Sequence, residues 1–173
     1  MGTVRPVWFV GAPVSLDRGQ GLPANAGADI VATRVGDRHL TLAFLGRVDP
    51  TDALRLWHAL PPLALPDQAR ALAWARFGRR AIALEIVDDG VLHEAAATCV
   101  DRAAEHVPSY QRPSSFRPHV TLGRVPKRSH PPTRAALRAW PLPDGPLRLG
   151  SLTLYRSATD AGGDRYERVA HQE

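Results

Sequence analysis

The tetrapeptide His39-Leu40-Thr41-Leu42 returns eighty positions later as His119-Val120-Thr121-Leu122, and this repeat restricts the fold more than any other feature of the chain. From the chain's own frequencies of His, Thr and Leu, roughly 0.04 occurrences of His-x-Thr-Leu are expected by chance, and roughly 0.001 for a pair. Each copy is followed by a Pro-Thr helix start, Pro50-Thr51 and Pro132-Thr133, so the two halves read as pseudo-copies of one unit. Both tetrapeptides are β-prone, and residues i and i+2 of a strand share a face. His39 and Thr41 therefore point the same way, as do His119 and Thr121. Threonine needs no functional reason to sit in a strand. A lone histidine at a strand end is most often a satisfied polar residue, but one heading each of two otherwise apolar strands is hard to explain by packing.

The remaining elements interleave strands and helices. Val7-Trp8-Phe9-Val10 predicts an opening strand, and the glycines, Pro23 and Asn25 between Leu16 and Gly27 predict a loop. Strands are expected over 30–35 and 39–45, with Gly36-Asp37 as the turn between them. A helix follows from Asp49 to Leu60, then a strand pair over 69–77 and 80–87 joined around Gly78-Arg79, and a longer helix over 91–107. After a polar loop come a strand over 119–125 and a short helix from Pro131 through Trp140. A last hairpin runs from Leu147 to Ala170, with a phase change at Gly150-Ser151 and a turn at Gly162-Gly163-Asp164. This order lacks the strict strand-helix-strand rhythm of a doubly wound sheet, so an α+β fold of mostly antiparallel sheets is expected.

Composition bounds the function. A chain of 173 residues, 44% hydrophobic and 23% charged, suits one globular domain spanning 1–173. The single cysteine, Cys99, can make neither an internal disulfide nor a cysteine-based zinc site, and no apolar stretch approaches the roughly 20 residues that span a bilayer. A cytoplasmic protein with no membrane association is expected. The formal charge of +5 and pI near 10.3 suit an anionic partner such as RNA or a nucleotide. That signal is weak alone, since every cation but Lys127 is arginine and the arginines are scattered along the chain.

Two imidazoles facing one cleft suit in-line displacement at phosphorus. One would deprotonate the attacking oxygen while the other protonates the leaving oxygen, each step contributing on the order of 10²- to 10⁴-fold. Threonine hydroxyls could hold the non-bridging oxygens. On these residues the chain resembles the two-histidine (2H) phosphoesterases, and within them the bacterial and archaeal RNA 2′,3′-cyclic phosphodiesterases once named 2′-5′ RNA ligases. The segment His39 to Gly46, HLTLAFLG, looks like the first family motif, and Phe116 to Arg124, FRPHVTLGR, like the second. Leu152 to Ser157, followed by Gly163 and Tyr166, resembles the family's closing hairpin.

The resemblance implies a bilobal fold, two pseudo-symmetric lobes flanking a central cleft with one motif in each, and no cofactor or metal. It implies that His39 protonates the leaving 3′-oxygen while His119 activates water, opening a 2′,3′-cyclic phosphate on RNA ends or cyclic nucleotides to a 2′-phosphomonoester, with 2′-5′ ligation as a minor reverse activity. Arg124 would contact the phosphate, although strand parity puts it opposite His119 and Thr121 unless a bulge intervenes near Gly123. A monomer is expected. An RNA- or nucleotide-binding module without turnover, or a phosphodiesterase for another small cyclic phosphate, are the competing readings. The chain departs from the family where an amphipathic helix usually follows the first strand; here stands Gly19 to Gly27, GQGLPANAG.

Other residues are assigned by position. Phe44 is expected in the core. Phe116 and Tyr110, beside the second motif, are the candidates for stacking on a base, with Phe116 preferred. Trp57 and Trp140 are expected as matching core anchors and Cys99 as a small buried residue. His58, His93, His106, His130 and His171 have no metal-ligand spacing and are expected at the surface.

Overall fold

The computed structural model describes residues 5–17, 20–158 and 165–173. Thirteen elements of regular structure are distributed along them: β1 (Trp8–Ser15), β2 (Val31–Ala32), β3 (His39–Gly46), α1 (Pro50–Ala59), β4 (Gln68–Ala69), β5 (Ala71–Phe77), β6 (Ala81–Ile86), α2 (Val91–His106), β7 (His119–Arg124), α3 (Arg134–Arg138), β8 (Leu147–Leu149), β9 (Thr153–Ser157) and β10 (Tyr166–His171), with a 3-10 turn at Val35–Asp37. One mostly antiparallel sheet runs in the order β10-β9-β1-β3-β7-β6-β5, which is the α+β architecture expected. The turn between β9 and β10, assigned to Gly162-Gly163-Asp164, lies outside the described residues, as does Gly19.

The two repeat strands sit side by side at the centre. They join through the antiparallel bridge Leu40↔Val120; continued by one residue each way, that register sets His39 opposite Thr121 and Thr41 opposite His119. Each motif strand has its own flank, β1 then β9 beside β3, and β6 then β5 beside β7. Leu40, Leu42, Val120 and Leu122 are buried in one continuous core with α1 and α2, the latter contributing Leu92, Ala96, Cys99 and Ala103. Period-two alternation thus gives one face of the motif strands to the core and leaves the histidines and threonines half-buried on the other.

Helix starts follow their caps. Asp49 accepts from the Thr51 amide at 2.9 Å ahead of α1, with Pro50 in the first turn. Ahead of α2, Asp88 accepts from the Gly90, Leu92 and His93 amides. Thr133 accepts from the Ala136 amide at the start of α3, but that helix ends at Arg138, short of Trp140. Trp140 is buried with its ring edge-on to Trp74, whereas Trp57 is half-buried against the core. Over 30–35 the strand shrinks to Val31–Ala32, with Val31 and Val35 both largely exposed among the described residues and so gaining little burial from a longer strand. No helix lies between β1 and β2 among the described residues. Instead Leu22 and Ile30 close over Gly123 of β7, within 2.9 Å and 2.7 Å of where a Cβ would stand.

At Gly11 of β1, opposite Thr41, a Cβ would run into the carbonyl oxygen of Leu40. That oxygen belongs to the backbone of a motif strand and has no side-chain freedom to yield. Gly11→Ala is therefore expected to destabilise the fold by about 1–3 kcal/mol. Urea denaturation measures it; an unchanged midpoint would show that β1 and β3 separate without cost.

Candidate active site

His39 and His119 are held in the same way. His39 Nδ1 lies 2.6 Å from the Asp37 carbonyl, and His119 Nδ1 lies 2.7 Å from the Arg117 carbonyl, in each case two residues back. A carbonyl can only accept, so each Nδ1 carries a proton and donates it. Each Nε2 is then the nitrogen free to accept or, once protonated, to give a proton. The hydroxyls of Thr41 and Thr121 carry no hydrogen bond to protein among the described residues, which leaves them free for a ligand.

The two repeats share a second device. In the β1–β3 ladder Val10 pairs with Ala43 and Gly11 with Thr41, so Leu42 is an extra residue; in the β6–β7 ladder Ile82 pairs with Gly123 and Ala83 with Thr121, so Leu122 is. The leucine of each His-x-Thr-Leu is thus a β-bulge, which reverses parity beyond it. Arg124 consequently returns to the face of His119 and Thr121, meeting the condition its assignment required. Phe44, five residues after His39 as Arg124 is after His119, swings out in the same way. It is 60% exposed, not in the core as expected.

His39, Thr121 and Arg124 line a cavity of about 350 Å³ together with Arg34, Asp37, Arg165 and Tyr166. Thr41 and His119 share its face of the sheet without lining it. Phe116 does not reach it. Two-residue parity puts Phe116 on the side of Pro118 and Val120, where it packs against the core with its ring edge-on to His93. Tyr110 also packs against the core. A larger cavity, about 660 Å³, lies around Asp88, Leu92 and Pro143 and is lined by no imidazole.

The ring that does meet His119 is Phe77, stacked on it at 3.7 Å between centroids and 11° between planes. Arg117 lies over the Phe77 ring as well, 4.7 Å from its centroid, and pairs with Glu85. Around His39 stand Phe9 at 4.5 Å and Tyr166 edge-on at 5.1 Å, with Tyr155 stacked on Phe9. Asp37, expected as a mere turn residue, is buried, and its carboxylate accepts from the Tyr166 amide at 2.9 Å, tying β10 to the turn that holds His39.

This surrounding sets the electrostatics. Burial among aromatic rings pushes His39 down from 6.5 to about 4, helped by His119 and Arg124 and opposed by Asp37. Burial also holds His119 below its ordinary value, with Arg117 in the same direction and Glu85 against it. The Leu40↔Val120 register sets both imidazoles on the same face of adjacent strands. Without ligand, both rings are mainly neutral at pH 7, and the cavity beside His39 also carries the side chains of Arg124, Arg165 and Asp37. No group of three or more His, Cys, Asp or Glu residues is placed to hold a metal among the described residues.

A family model described as the 2′-5′ RNA ligase superfamily matches residues 32–161 of this chain. The chain belongs to that superfamily. The match spans both motif strands, so the two-histidine phosphoesterase resemblance of HLTLAFLG and FRPHVTLGR stands. Solved structures share the fold: E. coli LigT complexed with 3′-AMP superposes with a TM-score of 0.71 at 22% identity, covering 97% of this chain and 98% of that one. A structure described as a phosphoesterase gives 0.69 at 23% identity over 96% and 97%. TT0787 of Thermus thermophilus gives 0.53 at 22% over 95% of each chain. No curated protein matches the sequence. In this superfamily member Arg165 and Tyr166 lie outside the matched range, so the wall they give the His39 cavity comes from the start of β10; Phe9 of β1, also outside it, stands against the His39 ring. No helix among the described residues is long and apolar enough to cross a membrane.

Proposed function

We propose that this protein hydrolyses 2′,3′-cyclic phosphates on RNA ends or nucleotides to 2′-phosphomonoesters. The observation that carries the reading is the matched commitment of both Nδ1 atoms to backbone carbonyls, which leaves two Nε2 atoms and two free threonine hydroxyls on one face. His119 Nε2 takes a proton from water as the water oxygen attacks phosphorus. The P–O3′ bond breaks, and protonated His39 gives its Nε2 proton to the departing 3′-oxygen. Arg124 and the threonine hydroxyls hold the non-bridging oxygens, where negative charge must be kept from repelling the nucleophile. A 5′-hydroxyl in place of water would yield a 2′-5′ linkage by the same proton transfers, which is ligation.

The environments support this direction of transfer. Burial pushes His39 down to about 4 against the raising influence of Asp37, so its imidazolium gives up a proton readily, while Glu85 favours proton uptake at His119. The anionic phosphate supplies what the free site lacks, a charge that favours an imidazolium. A nucleotide-sized ligand suits the fold, since E. coli LigT has been crystallised with 3′-AMP and with ATP. The lone cysteine, buried in α2, accords with a reducing compartment, and we place the enzyme in the cytoplasm as a monomer. Incubation with 2′,3′-cyclic AMP in EDTA is expected to yield 2′-AMP. Recovery of 3′-AMP would reverse the identity of the leaving oxygen, and binding without turnover would make this a nucleotide-binding module.

A further inference from the structure

Arginines scattered along the sequence are gathered by the fold. Two cavities of about 330 and 580 Å³ adjoin, since Arg76, Gly78 and Pro131 line both. The first adds Arg79, Arg80 and Lys127; the second adds Arg134 and Arg138. They come from the end of β5, the β5–β6 turn, the segment after β7, and α3. None of these six cations pairs with a carboxylate among the described residues, and Glu85, the one acid lining either cavity, is taken up by Arg117. Some arginines elsewhere are neutralised, as in Arg55–Asp52, Arg102–Glu105 and Arg112–Asp101. An arginine-rich composition alone explains the number of cations but not the gathering of six of them, from four segments, around two adjoining cavities whose one acid is already paired. The trough starts at the site: Arg117, which lines it, holds His119 by its carbonyl, and Phe77, between Arg76 and Gly78, stacks on that imidazole.

We infer that this trough binds the phosphodiester backbone of single-stranded RNA whose cyclic-phosphate end occupies the His39–His119 site, making the substrate a polynucleotide. The inference rests on the proposed hydrolysis for its orientation. A row of unpaired guanidinium groups suits successive phosphates, and the terminal nucleotide must leave any duplex to bring its phosphate between the two imidazoles. Each phosphate neutralised on a single strand steepens the salt dependence of binding by about 0.7 in log–log slope. Six contacts predict a loss of roughly 300-fold in affinity between about 50 and 200 mM salt, and three contacts a loss of about 20-fold.

The test compares wild type with Arg76→Ala/Arg79→Ala/Arg134→Ala on 2′,3′-cyclic AMP and on a single-stranded decamer ending in a 2′,3′-cyclic phosphate. The variant is expected to raise KM for the decamer about tenfold or more, with a shallower salt slope, and to leave turnover of the mononucleotide unchanged. Equal losses on both substrates, no loss on either, or equally tight binding of a blunt duplex would each overturn the inference. Fluorescence anisotropy with a labelled decamer decides it without turnover. Weakened binding by the variant supports the trough even if cyclic AMP proves not to be hydrolysed, whereas unchanged binding refutes it while the hydrolytic reading survives.

Discussion

Alanine in place of His39 or of His119 is expected to lower kcat for 2′,3′-cyclic AMP by about 10²- to 10⁴-fold, the range for loss of a positioned acid or base. The two are not equivalent structurally. His119 is half-buried and gives up mainly its stack on Phe77, but His39 fills space beside Phe9 and Tyr166, so its removal also leaves a void. His39→Asn separates packing from chemistry. Its amide can still donate toward the Asp37 carbonyl that receives His39 Nδ1, yet it has nothing in place of Nε2. If proton transfer through Nε2 is what matters, the asparagine variant is as inactive as alanine and melts closer to wild type. The double variant should lose far less than the product of the single losses, because an acid and a base serving one displacement act as a unit. Near-normal turnover by any of these proteins, measured by product chromatography, would end the paired mechanism.

The motif strands were legible because two independent regularities coincide in them: the repeat itself and the period-two burial of Leu40, Leu42, Val120 and Leu122. Parity arguments fail where the backbone adds a residue. Nothing in Leu42 or Leu122 marks it as a bulge, so simple alternation sends Phe44 to the core and leaves Arg124 needing an irregularity that the structure supplies next to Gly123. The walls of the site were harder to foresee. Phe77 reaches His119 through the β6 strand that separates β5 from β7, and Tyr166 meets His39 across β9 and β1. Such contacts join residues far apart in the chain and leave no local pattern. The carbonyl role of Asp37 leaves no signal in its identity, since Arg117 fills it in the second motif, and its carboxylate meets the Tyr166 amide from far along the chain. Sequence order likewise hid the basic trough, because its cations come from four separate segments.

Acid is expected to act on this protein through its two imidazoles before it reaches its carboxylates. An unfolded histidine takes up a proton near pH 6.5, but folded His39 resists until about pH 4. Between those values the unfolded chain binds more protons, so the stability owed to the neutral ring is complete above pH 6.5, shrinks as pH falls, and levels off below about 4. For His39 the loss amounts to about 3 kcal/mol, and depressed His119 adds to it in the same direction. Asp49 and Asp88 are held below the usual carboxylate range by hydrogen bonds to their oxygens, so their own losses come at lower pH. Urea denaturation at pH 7, 5.5 and 4.5 should show wild type weakening and His39→Asn weakening less; parallel losses would place the imidazole in water and undo the argument. Catalysis should report the same environments. Both groups titrate below 6.5 in the free enzyme, so kcat/KM for cyclic AMP should peak on the acid side of that value and decline above it. The bound phosphate favours the imidazolium, so the kcat profile should lie at higher pH. A kcat/KM that stays level from pH 7 to 9 would mean that no proton held by this pair is needed to expel the 3′-oxygen.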